Sequence, residues 1–183
     1  MPRQFPLTLP ALIFALLLCG GAARPARAQT VASEPDMVEG SLHELKGKRA
    51  VMLVVARSEI VDAREPGRAI IEAAYKTTPK QSQRFRFTYN TFARKLNGYM
   101  KKHGSITAVE RAADADFIVF FNLLEYRRSL GVFYAYGETY VISNHPPSSG
   151  NPPCILWKSR KVMWAEDSIN ELIRELKAAR GEK

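Results

Sequence analysis

Phe117-Ile118-Val119-Phe120-Phe121-Asn122-Leu123-Leu124-Glu125-Tyr126 is the stretch that decides the fold. In an extended chain, alternate side chains point to opposite faces. Phe117, Val119, Phe121 and Leu123 then line one face, and Ile118, Phe120, Leu124 and Tyr126 line the other. Neither face is polar, so the predicted strand sits in the middle of a sheet covered on both sides.

Upstream, Ala50 to Ala56 is a second apolar, β-branched run and reads as another buried strand. Between the two, residues 88–103 form the clearest helix. Tyr89, Phe92, Ala93, Leu96, Tyr99, Met100 and His103 recur at three-and-four spacing, and Gly104 supplies a left-handed stop. Arg84-Phe85-Arg86-Phe87 alternates, which predicts an extended entry to that helix. Ala69 to Tyr75 fits a short helix or a strand. Ile106 to Val109 reads as a short strand, and Asp114 and Asp116 as exposed turn carboxylates.

Downstream, residues 127–135 read as a loop and Tyr136 to Asn144 as a strand. Residues 145–153 carry four prolines and one glycine, a surface loop. Residues 155–157 and 162–164 flank a polar segment, giving a hairpin or one bulged strand. Asp167 or Ser168 is placed to cap a last helix. Glu171 completes a capping box with Ser168, Ile169, Leu172, Ile173 and Leu176 form the buried stripe, and Gly181 ends the helix. This order predicts an α/β fold: a mixed β-sheet, an amphipathic crossover helix, and a C-terminal helix packed on it.

The chain has 183 residues, with 46% hydrophobic and 25% charged. That composition excludes collagen, long coiled coils and multi-span membrane proteins. Residues 1–28 have the three parts of an export signal: Arg3, an apolar centre at residues 11–18, and Ala26-Arg27-Ala28 before Gln29. The apolar run falls short of the roughly 20 residues a spanning helix needs. Leu18 stands before Cys19 where a lipobox takes a small residue, so lipid anchoring at Cys19 is not expected. The predicted organisation is a signal over 1–28, a flexible leader over 29–47 and one α/β domain over 48–183. The predicted localisation is extracytoplasmic, in the periplasm, with no transmembrane helix in the mature chain.

Ala-Asp-Ala-Asp-Phe-Ile-Val-Phe-Phe (113–121), Ile-Leu-Trp-Lys (155–158) and the terminal helix from Asn170 to Arg180 carry a resemblance. The last two-thirds of the chain resembles uncharacterised exported, lipoprotein-like α/β domains of the bacterial envelope. More distantly it is similar to the α/β domains of the curli-secretion lipoprotein and the Tol-system propeller protein. The resemblance implies assembly or scaffolding rather than catalysis, and it transfers no catalytic residue.

The residues themselves point the same way. His43, His103 and His145 are far apart, and no metal-ligand spacing, nucleophile elbow or phosphate-cradling loop occurs. No metal, cofactor or catalytic residue is therefore predicted. Cys154 lies beside an apolar strand with no base nearby in sequence, which reads as packing. Tyr126, Phe133, Tyr134, Tyr136 and Tyr140 cluster around the predicted 127–135 loop. There Phe133 and Tyr134 are candidates for a binding surface and Tyr136 and Tyr140 for sheet packing.

Charge is the strongest surface signal. Residues 41–103 hold 14 basic and 5 acidic residues, whereas the rest of the mature chain is net negative. Arg94, Lys95, Lys101 and Lys102 fall opposite the apolar stripe of the 88–103 helix, which predicts docking to an anionic surface. Export removes cytoplasmic nucleic acid from the partners, leaving an envelope protein or an anionic envelope surface. The function expected is a non-enzymatic binding or scaffolding domain of the envelope. The alternative is a small extracytoplasmic hydrolase with a site assembled in space.

Overall fold

The computed structural model describes residues 37–57, 65–104, 106–129, 132–144, 151–160, 162 and 164–182. The expected signal with Cys19, and His145 with the rest of residues 145–150 of the proline loop, lie outside them. The 117–126 stretch forms most of β3 (Phe117–Ser129), the middle strand of five. β3 pairs in parallel with β1 (Ala50–Ala56) and antiparallel with β4 (Val132–Ser143). β2 (Thr107–Ala108) adds parallel to β1, and β5 (Ile155–Lys158) antiparallel to β4. The sheet is mixed, in the order β2-β1-β3-β4-β5.

Helices cover both faces, as the two-sided apolar pattern requires. One face carries Val51, Leu53, Val55, Phe117, Val119, Phe121 and Leu123. On it lie α3 (Arg86–His103), through Phe92, Leu96 and Tyr99, and α4 (Ala165–Arg180), through Ile169, Leu172 and Leu176. The other face carries Met52, Val54, Ile118, Phe120, Tyr140 and Ile142, under Ile70 and Ala74 of α1 (Pro66–Lys76). The 69–75 ambiguity resolves to helix: Pro66 starts it, and Ile70 and Ala74 stand one turn apart on its buried side.

Beyond Val51 the outer edge of β1 is closed by a single helical turn, α2 (Pro79–Ser82). The Val55 N–H donates to Ser82 Oγ at 2.9 Å, and Ser82 Oγ donates to the Thr78 carbonyl at 2.9 Å. A side chain thus takes the place of a longer β2 and blunts the edge.

Several elements depart from the sequence reading. Arg84-Phe85-Arg86-Phe87 is helical rather than extended: a 3-10 turn over Gln83–Phe85 runs straight into α3. Alternation over four residues is too short to outweigh the adjoining helix. The expected 127–135 loop is mostly strand, because β3 continues to Ser129 and β4 begins at Val132. A two-stranded ribbon satisfies its backbone across the pair, so it needs no continuous apolar face. The leader is not all outside the fold: Leu42 and Leu45, on a 3-10 turn, are buried in the core, and Arg180 Nη1 donates to the Leu45 carbonyl at 3.1 Å.

Neither Asp167 nor Ser168 caps α4. Extended backbone at Trp164 ends the loop earlier, the helix begins at Ala165, and Ser168 is fully buried inside it. Ser168 bonds Ser159 Oγ at 3.1 Å and the Thr139 hydroxyl, fastening α4 to the sheet. Asp116 is a clamp rather than a free turn carboxylate. It accepts from the Arg49 and Ala50 N–H groups at 2.7 and 2.9 Å, tying the starts of β1 and β3 together. Asp114 is exposed as expected. Gly104 and Gly181 end α3 and α4 at positive φ, 62° and 69°. Among the described residues no helix is long and apolar enough to cross a membrane.

Candidate functional site

The sheet does not end where its neighbours do. β1 pairs with β3 only as far as Asn122, and β5 reaches only Tyr140 of β4, with one further bridge from Gly137 to Val162. The rest of β3 and β4 continues as a ribbon. At its base a β-bulge at Leu124 sets two β3 residues against one of β4. The bulge reverses the alternation beyond it. Tyr126, expected on the Ile118 side, pairs instead with Ala135 and shares the face of Leu123.

Gly137 makes this turn of the ribbon possible. A Cβ there would stand 2.4 Å from the Asn122 carbonyl oxygen and 2.7 Å from the Phe121 ring. No side chain fits, so the strands can close tightly next to the bulge.

The bulge aims Tyr126 into a groove of about 450 Å³ between the ribbon and the first turns of α3 and α4. Phe87 and Thr91 line it from α3, and Trp164, Asp167 and Asn170 from the head of α4. Phe87 is 57% exposed, Trp164 42% and Tyr126 39%. Val132, 43% exposed, lies farther along the same ribbon. These four are the exposed large hydrophobics among the described residues, and three of them line this groove. The Arg86 guanidinium stands 5.9 Å from the centre of the Phe87 ring, a cation–π distance. Glu166 takes a 2.7 Å ion pair from Lys95, whose hydrogen bond and charge hold that carboxyl below its usual range.

The six residues singled out from sequence do not form one site. Arg94, Lys101 and Lys102 are exposed on α3, but Lys95 leans on α4 through Glu166. Lys101 and Lys102 stand fifteen or more residues from Arg86, about 22 Å along the helix. Tyr134 packs its ring 4.7 Å from that of Trp164 and so supports the groove wall. Phe133 is on β4 opposite Arg128, and its side chain lies outside the described residues. Phe87 and Trp164 are not among the six residues singled out from sequence. Phe87 carried a signal, since it is a large apolar residue off the buried stripe of its helix. Trp164 carried none, because its position depends on where α4 begins.

Other polar clusters are occupied with one another. Buried Glu138 accepts from Tyr140 Oη at 2.6 Å and pairs with Lys158 at 3.2 Å, fixing β4 against β5. At the far end of α3, Tyr99 donates to Glu182 at 2.5 Å, Arg180 bonds the same carboxylate at 2.9 Å, and His103 Nδ1 stands 3.6 Å from it. Burial and the bond to Glu182 push the Tyr99 hydroxyl well up. Burial also pushes Glu182 up, but the bonds from Tyr99 and Arg180 and the nearby positive charges outweigh it, leaving that carboxyl below its ordinary range. Cys154 Sγ lies 3.1 Å from Ser143 Oγ, half-buried. Among the described residues no group of three His, Cys, Asp or Glu side chains is placed to hold a metal ion. No protein-family model, curated protein or solved structure matches this chain.

Proposed function

We propose that this protein is an exported, non-enzymatic binding or scaffolding domain of the bacterial envelope, and that it engages its partner through the aromatic end. Export rests on the signal pattern of residues 1–28. Binding rests on one observation: Phe87, Tyr126 and Trp164 converge, exposed, on a single groove. Isolated exposed apolar residues are ordinary, but a gathered patch rimmed by polar groups is the mark of an interaction surface. Tyrosine, tryptophan and arginine are also the residues that dominate interface energetics. The bulge and Gly137 keep the groove shaped in the free protein, which lowers the ordering cost of binding.

A photoreactive amino acid at Tyr126 tests this in intact cells. The expected result is an ultraviolet-dependent adduct from the envelope fraction that is absent when the probe replaces exposed Arg174 on α4. Equal labelling from both positions, or none from either, would remove the reading.

A further inference from the structure

We infer that the partner of the aromatic end is the surface of an anionic lipid bilayer; this rests on the binding reading above. The α3 N-terminus carries the first clue. The first turn of a helix is the positive end of its dipole and favours carboxylates. α3 has none there, and it begins with Arg86 two residues after Arg84, both exposed. Two cations at that end work against the helix. α4 obeys the rule, with Glu166 and Asp167 in its first turn. Charges that a helix would reject on its own account are explained by something outside it.

The second clue is what those cations accompany. Phe87, beside Arg86, lines the groove from α3, and Tyr126 lines it from the ribbon opposite. Arg84, Arg86, Arg94, Lys95 and Arg127 outnumber Glu125, Glu166 and Asp167 at this end. Lys95 is already paired with Glu166, and Arg127 with Glu125. Arg84, Arg86 and Arg94 thus supply the positive excess. Aromatic rings interspersed with guanidinium groups match the boundary of a bilayer. There, rings sit at headgroup depth and cations meet lipid phosphates. A soluble polyanion would satisfy the arginines and leave the rings in water. The arrangement also places the docking surface at the start of α3, not along its whole length, so Lys101 and Lys102 stay away from the membrane.

Co-sedimentation with phosphatidylcholine vesicles, with and without phosphatidylglycerol, tests this on wild-type and variant chains prepared identically. Binding should need the anionic lipid, weaken with added salt, and shift tryptophan emission to the blue as Trp164 leaves water. Arg86→Glu should weaken binding about 25-fold, because each charge near such a surface is worth about a factor of five and the change swings the charge by two. The same change places a carboxylate at the helix start, so stability in denaturant should hold or rise. Phe87→Ser should weaken binding while leaving its salt dependence intact. Equal binding to neutral vesicles, unchanged affinity in both variants, or competition by polyphosphate with no blue shift would each overturn the lipid assignment. No vesicle binding together with a protein adduct at Tyr126 would overturn it and leave the binding reading standing. Neither binding nor adduct would end both.

Discussion

Gly137 is the residue on which the groove's geometry turns. Its flexibility is not what matters, since its φ is not in the left-handed region. The missing Cβ is what matters, because the Asn122 carbonyl and the Phe121 ring occupy that space. Gly137→Ala should therefore destabilise the fold by about 1–3 kcal/mol through forced displacement of packed backbone. It should also lower the affinity of the aromatic end for whatever occupies it. Chemical denaturation reads the first effect, and an unchanged midpoint would show that the ribbon yields freely. Asn122 and Gly137 were both plain in the sequence, but their contact was not. They meet only through cross-strand register, and the bulge that sets the register has no local signature.

At the scale of elements, β3 is the strand whose character was most legible. Apolar side chains on both faces required two covering layers, and the sheet supplies them: α3 and α4 on one side, α1 on the other. Phe120 is fully buried and stacks against Tyr140, with centroids 6.3 Å apart. Phe120→Ala should cost about 3–5 kcal/mol, because a ring lost from a closed layer leaves a cavity. A loss below about 1 kcal/mol in urea would mean that the α1 side collapses freely. The helix α4 shows the opposite case. Its stripe was readable, yet its start was misplaced, because Ser168 has the chemistry of a cap and is used instead as a buried bond to Thr139 and Ser159. A hydroxyl serves either purpose equally well.

Across the whole molecule, two carboxylates join segments distant in sequence, and both depend on pH. Burial pushes Asp116 up, but the Ala50 and Arg49 N–H groups and the Lys48 charge outweigh it and leave its carboxyl below the ordinary range. Glu182 is lowered as well. A carboxylate whose folded pKa lies below its unfolded one contributes stability that is present above the unfolded pKa. That contribution is lost as pH falls through the folded value. The protein should therefore lose stability below about pH 4. Asp116→Asn and Glu182→Gln should each flatten that loss while lowering stability at neutral pH. Denaturation curves at neutral and acid pH check this; parallel losses in wild type and both variants would exclude these clamps.

The sequence by itself determined what depends on local spacing: a central strand apolar on both faces, an amphipathic helix over most of Arg86–His103, glycine stops at Gly104 and Gly181, and an α/β class. Each follows from a period of two or of about 3.6 residues, or from one residue's conformational freedom. Only the tertiary structure decided which aromatic residues share a surface. Phe87, Tyr126 and Trp164 are nearly forty residues apart at each step, and they meet because a bulge turns Tyr126 over, a glycine lets the ribbon close, and α4 begins at Ala165. Long-range register and packing place side chains in space, and neither is written in the spacing of neighbouring residues.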